Sequence, residues 1–173
     1  MMLETGMRPE EVCRIRRENV HLDQGYLFNP FGKTKAVRRK VPLTERACAL
    51  LARRLEKVKG DFVFPGRATD QPIVKVNAAH VGTLARINRI RSEANESPIP
   101  HFRLYDLRHT WATRGAMAGI DLVTLAAMAG IDLVTLAAML GHSRIQMVLR
   151  YAHPTEEHQF AAMKKLEAFR MAK

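Results

Sequence analysis

The stretch between Arg103 and Pro154 holds three side chains that together could carry out phosphoryl transfer. Arg108 lies in a Leu-Arg-His-Thr motif, His142 lies in Leu-Gly-His-Ser, and Tyr151 follows His142 by nine residues in Arg-Tyr-Ala-His. An arginine supplies fixed positive charge, a histidine supplies a hydrogen-bond donor and a tyrosine supplies an oxygen nucleophile. A phosphoryl-transfer site without metal needs these groups, so the sequence predicts such a site if the fold brings them together.

A second arginine lies close to the N-terminus, in Thr-Gly-Met-Arg-Pro-Glu-Glu-Val. Pro9 suits the first position of a helix, and the acids that follow it, Glu10 and Glu11, suit the first turn. Arg8 is therefore expected at the turn just before this helix. Taken alone, the pattern is typical of an ordinary helix start with a solvated arginine.

In their order along the chain, these motifs resemble the catalytic domain of the tyrosine recombinases, the phage integrase family. The resemblance extends over nearly the whole chain and implies a mainly α fold with a small antiparallel β-sheet (α+β). It implies cutting and rejoining of double-stranded DNA through a 3′-phosphotyrosyl link at Tyr151, with no cofactor and no metal. Arg8, Arg108 and His142 would stabilise charge on the phosphate, and Glu11 would orient Arg8.

A basic segment with five cations between Lys33 and Lys40 follows the first helix. A solvated sheet edge that resists aggregation is the simplest interpretation of such a segment. In the family that the chain resembles, the catalytic lysine lies on a hairpin, in a Thr-Lys stretch shortly before Val-Pro-Leu. Thr34 and Val41 mark the matching stretches here, so Lys35 is the implied general acid and Lys33 its alternative. The predicted DNA contacts are Lys33, Arg38, Arg39, Lys40, Arg86 and Arg89.

The chain departs from the family pattern at Tyr105, because the family usually places a histidine three residues before the second arginine. A tyrosine can donate a hydrogen bond to a phosphate, but it is a poor base near neutral pH. Tyr105 is therefore retained as a site residue without an assigned base function. His109 is adjacent to Arg108 on the predicted helix, faces elsewhere and is interpreted as a structural residue.

The charge balance favours a polyanionic partner. The 173 residues include 28 Lys and Arg against 17 Asp and Glu, a formal net charge of +11 at pH 7. The resulting positive field favours nucleic acid, and no basic amphipathic helix or polybasic tract beside an apolar anchor supports membrane binding. Asp121 and Asp132 interrupt the one long apolar stretch, which argues against a membrane span.

Cys13 and Cys48 lack metal-ligand spacing, so we expect reduced cysteines in a cytoplasmic protein.

Hydrophobic periodicity predicts the elements that position these motifs. Short strands, broken at Asn-Pro and at Phe-Gly, are expected within residues 24–43, with Tyr26, Phe28, Val37, Val41 and Leu43 on the packed face. Helices are expected from a Thr44 cap to residue 58, over residues 75–91 and over residues 104–118. The helix over residues 75–91 should bury an apolar face formed by Val76, Val81, Leu84, Ile87 and Ile90.

We expect residues 1–173 to form a single catalytic domain. The family usually adds an N-terminal core-binding domain that clamps the other side of the duplex, and this sequence holds no segment that we assign to it. A C-terminal helix over residues 155–173 has an apolar stripe that needs a groove. The resemblance implies that this helix docks on a neighbouring protomer on DNA.

An internal duplication departs from any family pattern: residues 116–126, AMAGIDLVTLA, recur letter for letter as residues 127–137. Two copies of so short a unit do not make a solenoid. The duplication separates Arg108 from His142 by 34 residues, and removing one copy would leave 23. Gly119 and Gly130 can each end a helix, so each copy encodes a short helix.

Asp121 and Asp132 can each cap the helix that their own copy encodes. Only one of these helices is expected to fill the core position. If the second fills it, His142 stays in place and the first copy extends or loops out. If the first fills it, His142 moves away by up to about 16 Å for eleven helical residues.

Two other functions are compatible with the same motifs. The chain could be a DNA-binding remnant of an integrase that keeps the fold and the basic surface but has lost its chemistry. It could also be a type IB topoisomerase-like enzyme that relaxes DNA through the same phosphotyrosyl step. Covalent adduct formation separates the remnant from both enzymes, and strand exchange between two sites separates the enzymes from each other.

Overall fold

A computed structural model describes residues 1–31, 38–66, 71–74, 76–140 and 156–171. The N-terminal half contains α1 (Met2–Thr5), α2 (Pro9–Cys13), a 3-10 turn (Arg17–Asn19), β1 (Val20–His21), β2 (Tyr26–Asn29), β3 (Arg39–Pro42) and α3 (Glu45–Lys57). It is followed by α4 (Asn77–Glu93), α5 (Leu104–Met117), α6 (Leu122–Ala129), α7 (Leu133–Leu140) and α8 (Glu156–Met171). The predicted fold, mainly helical with a small antiparallel sheet, is confirmed.

The sheet has the order β1-β2-β3, and its central strand pairs Leu27 with Val41. The packed face of β2 was predicted wrongly, because Leu27 and not Phe28 lies inside: Leu27 is 1% exposed and Phe28 is 37% exposed. Since neighbouring side chains on a strand point to opposite faces, Asn29 is buried together with Leu27. On β3, Val41 is buried as predicted, and Arg39 lies on the same buried face.

The predicted cap of α3 is confirmed, since the Thr44 hydroxyl accepts a hydrogen bond from the Ala47 amide. This helix, α1, α2 and the sheet share the first of two hydrophobic clusters. Its buried members are Met7, Val12, Ile15, Leu27, Val41, Leu43, Ala47, Leu51 and Val63.

The second cluster joins α5, α6, α7 and α8 around Trp111, which is fully buried. Met163 and Leu166 of α8 are each 2% exposed in this cluster. Part of the apolar stripe of α8 thus packs on its own chain, and the docking of this helix on a neighbouring protomer stays a prediction. The Lys40 ammonium ion-pairs with Glu156 at 3.0 Å and supports this position.

Helix α4 lies largely outside both clusters. Leu84 is buried and Val76 and Ile87 are partly buried, but Val81 is 52% exposed and Ile90 is 54% exposed, so the predicted packed face of this helix is wrong at Val81 and Ile90. The chain before α5 is tied to α4 by the side chain of Asn88, which bonds both backbone groups of Ile99, and by the Phe102 ring, which lies 4.7 Å from the His80 ring. In the described residues no helix is long and apolar enough to cross a membrane.

Both copies of the duplicated segment form helices. The Asp121 carboxylate accepts from the amides of Val123 and Thr124 and caps α6, and the Asp132 carboxylate accepts from the Thr135 amide and caps α7. Both caps are as predicted. The expectation that one copy fills the core while the other stays outside is wrong, because the helices of both copies pack in the second cluster. Leu125 of α6 and Leu136 of α7 are each fully buried.

Candidate active site

Arg8 lies at the N-cap of α2, where the sequence placed it. Its amide donates to Glu11 Oε2 at 2.8 Å and its guanidinium donates to Glu11 Oε1 at 3.1 Å. The Glu11 side chain is 6% exposed and that of Arg8 is 25% exposed. Glu11 therefore fixes Arg8 at the turn while part of the Arg8 side chain stays open to solvent.

Arg108 is brought to Arg8 by the contact between α1 and α5. Its Nη1 donates to the Gly6 carbonyl at 2.5 Å and its Nη2 donates to the Ala129 carbonyl at 2.9 Å. Gly6 adopts a φ of 64°, and a Cβ at this position would lie 2.5 Å from a Trp111 ring atom. Only glycine allows so close an approach, so this turn sets the position of Arg108 relative to Arg8.

Arg39 was predicted to contact DNA, and its position corrects that prediction. It is 9% exposed, and its Nη1 and Nη2 donate to the two carboxylate oxygens of Glu11 at 3.2 Å and 3.3 Å. Its Nε donates to the Met128 carbonyl at 2.9 Å. Arg39 lies inside because the alternation of β3 gives it the same face as Val41, where Glu11 offers the counter-charge.

The end of α6 joins the three arginines. Successive carbonyls of Met128, Ala129 and Gly130 accept from Arg39, Arg108 and Arg8 at 2.9, 2.9 and 3.4 Å. The last carbonyls of a helix have no partner within the helix and carry its negative dipole end, so cations suit them. The motifs did not reveal these contacts. The signal that could have done so was the glycine that ends the helix, Gly130.

The electrostatics of the cluster favour an anion. Burial alone would raise the pKa of Glu11, but the hydrogen bonds and charges of Arg39 and Arg8 outweigh it and hold that pKa below its usual value. Burial, reinforced by the charges of Arg8 and Arg39, lowers the pKa of Arg108 to about 10. Arg108 is still protonated at neutral pH. Arg8 and Arg39 are bonded to the Glu11 carboxylate, whereas the two described bonds of Arg108 go to backbone carbonyls, so a phosphate beside Arg108 and Arg8 would meet fixed positive charge.

The other predicted DNA contacts in the described residues are more exposed. Arg38 is exposed just before β3, Lys40 stands over the Tyr26 ring at 5.0 Å, and Arg86 and Arg89 are exposed on α4. The structure brings Arg8, Glu11 and Arg108 together as predicted. The other predicted site residues, Lys33, Lys35, His142 and Tyr151, lie outside the described residues.

A family model described as the phage integrase family matches residues 1–158. This match covers most of the chain. The chain belongs to the phage integrase family.

Curated relatives include the transposase from transposon Tn916 of Enterococcus faecalis. It is 30% identical over 152 residues, a match that covers 82% of this chain and 34% of the relative. A transposase from transposon Tn1545 of Streptococcus pneumoniae matches with the same identity and coverage. This integrase-family chain thus spans about a third of the length of these relatives.

Solved structures share the fold. The Tn1549 transposon integrase in complex with circular intermediate DNA is 21% identical with a TM-score of 0.67, over 95% of this chain and 57% of that one. The XerA recombinase is 18% identical with a TM-score of 0.62, over 88% of this chain and 55% of that one. The XerH site-specific recombinase bound to its difH substrate is 22% identical with a TM-score of 0.59, over 86% of this chain and 42% of that one.

Tyr105, where the chain departs from the usual integrase-family motif, lies at the start of α5. Its side chain is 39% exposed, and its ring centroid lies 6.3 Å from that of His109. It is close enough to Arg108 to influence that residue electrostatically. A phosphate that reached Arg108 from this side could therefore accept a hydrogen bond from the Tyr105 hydroxyl.

The neighbours Arg38 and Arg39 allow a matched test of burial against DNA contact. Arg39→Gln should lower the free energy of unfolding by about 2 kcal/mol or more, because it removes one partner of a buried ion pair. Arg38→Gln should leave stability nearly unchanged and weaken DNA binding. Denaturant unfolding and a DNA titration on both variants measure these effects. Equal stability of the two variants would contradict the structural role of Arg39.

Proposed function

We propose that the chain is the catalytic domain of a site-specific DNA recombinase that cuts and rejoins double-stranded DNA through a 3′-phosphotyrosyl intermediate. The observation that carries the proposal is the joint placement of Arg8, Glu11 and Arg108. Arg8 is bonded to the buried Glu11 carboxylate, and Arg8 and Arg108 bind neighbouring carbonyls, those of Gly130 and Ala129. Membership of the phage integrase family supports the same activity. The relatives named as transposases favour a role in the movement of a mobile element.

The proposed reaction is a balanced exchange of phosphodiester bonds. The Tyr151 hydroxyl attacks the scissile phosphorus, loses its proton and forms the phosphotyrosyl bond as the bond from phosphorus to the 5′-oxygen breaks. Lys35, or Lys33 in its place, donates a proton to the leaving 5′-oxygen. A 5′-hydroxyl of the same or another strand then attacks the phosphotyrosyl bond, releases Tyr151 and reseals the DNA without an external energy source.

The arginines stabilise the charge that grows on the nonbridging oxygens during each attack. Arg8 and Arg108 provide preorganised donors, and His142 would add a third. Glu11 keeps Arg8 in position, and Arg39 keeps Glu11 in position from inside the fold. The protein is proposed to act in the cytoplasm on duplex DNA, and its self-association on DNA stays a prediction.

A covalent-adduct assay tests the function. A nicked suicide substrate, which loses its short 5′-hydroxyl fragment after cleavage, should trap a protein–DNA adduct that migrates slowly on a denaturing gel. Exchange between two marked sites identifies a recombinase, whereas relaxation of a supercoil without exchange identifies a topoisomerase-like enzyme. Specific DNA binding without adduct, both in the full chain and in the chain lacking residues 127–137, identifies the remnant, which is favoured by one observation: Arg108 is only 1% exposed.

DNA binding should be strongly dependent on salt. With a net charge of +11, contacts to about five phosphates would weaken binding roughly 10²- to 10³-fold between 50 and 200 mM salt. Titration of a labelled duplex at several salt concentrations gives this slope. An affinity that stays nearly constant over the range would argue against the phosphate backbone as the ligand.

A further inference from the structure

Three helix ends in this chain carry nearly the same sequence. Ala-Met-Ala-Gly ends α5 at residues 116–119 and α6 at residues 127–130, and Ala-Met-Leu-Gly follows at residues 138–141. The residue after the glycine differs in each case: it is Ile120, Ile131 and His142. The residue that follows the helix end beside the arginines is therefore a histidine if α7 lies there and an isoleucine if α5 or α6 does.

In the structure the helix end beside the arginines is that of α6. The carbonyls of Met128, Ala129 and Gly130 bind the guanidinium groups of Arg39, Arg108 and Arg8. We call this position, enclosed by the three arginines, the arginine slot. Because α6 fills it, the next residue along the chain is Ile131.

A side chain at the glycine of the arginine slot would displace the Arg39 guanidinium. Gly130 has a φ of 65°, and a Cβ there would lie 2.6 Å from Arg39 Nη1. Gly119 has a φ of 76°, but a Cβ there would meet no atom within 4 Å. The two glycines share a backbone conformation and differ in surroundings. Gly141 is the glycine that would meet the same demand if the helix capped by Asp132 filled the slot.

We infer that α6 and α7 compete for the arginine slot and that the duplication lets α6 occupy it, so that Ile131 and not His142 follows the glycine of the slot. This inference rests on the proposed function for the importance of His142. In the alternative arrangement α7 fills the slot, its end leads directly into His142, and Gly130 takes the open position that Gly119 has now. One chain thus encodes an arrangement in which Ile131 follows the slot and an arrangement in which His142 follows it.

Chain connectivity explains why α6 occupies the slot. Helix α5 leads through Gly119 directly into α6, and Leu125 packs so tightly on α5 that a Cβ on Gly115 would lie 2.5 Å from it. Helix α7 then adds Leu133 and Leu136 to the same cluster. To place α7 in the slot, α6 would have to leave it. Leaving would expose Leu125 to water and would require the closure of an added loop, and both effects cost free energy.

Paired glycine substitutions test the competition in the full-length chain. Asparagine tolerates positive φ better than other side chains, so it isolates the steric effect. With α6 in the slot, Gly130→Asn should lower the Tm by about 5 °C or more beyond the effect of Gly119→Asn. It should also increase the yield of covalent adduct severalfold, because it favours the arrangement in which α7 fills the slot. Gly119→Asn should leave the adduct yield unchanged.

The outcomes separate this inference from the proposed function. Equal Tm values for the two variants would overturn the placement of α6. A Gly130→Asn chain that loses its cooperative unfolding, or that gains no adduct although the chain lacking residues 127–137 forms it, would overturn the competition. If the chain lacking residues 127–137 forms no adduct either, the proposed function fails, and the difference in Tm still decides which helix occupies the slot.

Discussion

Removing residues 127–137 should convert a chain that forms little covalent adduct into one that forms it readily, by a factor of roughly 10²–10³, the effect of one transition-state donor. The deletion joins Ala126 to Ala138, so the helix capped by Asp121 ends in Met139, Leu140 and Gly141 and is followed by His142. The three carbonyls that α6 now offers to the arginines are then supplied by these residues. A time course with the suicide substrate, on both chains, measures the gain.

The repeat makes the deletion unambiguous, because removing residues 116–126 gives the same sequence as removing residues 127–137. His142→Ala in the shortened chain is the matched control and should return adduct formation to the level of the full chain. The same cleavage rate and the same oligomeric state before and after the deletion would mean that the duplication is a tolerated insertion. A gain that His142→Ala leaves intact would assign the improvement to packing alone.

Local signals predicted part of the site and several element boundaries. Pro9 and the acids after it define the start of α2, and the same local geometry brings Glu11 back onto Arg8. Thr44 caps α3 through a bond to a residue three positions away, and Asp121 and Asp132 cap their helices over similar distances. Such contacts depend on neighbours in sequence, so a single sequence contains the information for them.

The wrong predictions for β2 and for Arg39 both involve residues whose contact partners lie far away along the chain. Both faces of β2 carry apolar residues, so the alternation of Tyr26, Leu27 and Phe28 did not indicate which face is buried. The choice also depends on Asn29, whose amide reaches Glu11 Oε1 at 3.3 Å from 18 residues away. Arg39 was interpreted as a surface cation for the same reason, because its buried partner Glu11 lies 28 residues before it.

The position of α6 beside the arginines could not be predicted from the sequence, for a different reason. The two copies are identical, so no local preference distinguishes the helix capped by Asp121 from the helix capped by Asp132. The choice follows from connectivity and from the burial of Leu125 and Leu136 together. Packing both helices removes more apolar surface from water than leaving either outside, and this gain decides the arrangement.

Tyr151→Phe should abolish covalent adduct formation in the chain lacking residues 127–137 and leave its affinity for DNA nearly unchanged. The substitution removes only the oxygen that forms the phosphotyrosyl bond, while the basic surface and the arginines stay in place. The chain contains three tyrosines, so Tyr105→Phe and Tyr26→Phe are the two matched controls. Adduct gels and duplex titrations on the three variants measure both properties.

Each control tests a different alternative. Tyr26 lies under the Lys40 ammonium at 5.0 Å from its ring, so Tyr26→Phe should change neither property appreciably. Tyr105 is exposed three residues before Arg108, and Tyr105→Phe should slow adduct formation if its hydroxyl binds the phosphate, without preventing it. Adduct that persists in Tyr151→Phe and disappears in Tyr105→Phe would move the nucleophile to the start of α5. The chain has no other tyrosine. If all three variants still formed adduct, no single tyrosine would be the required nucleophile.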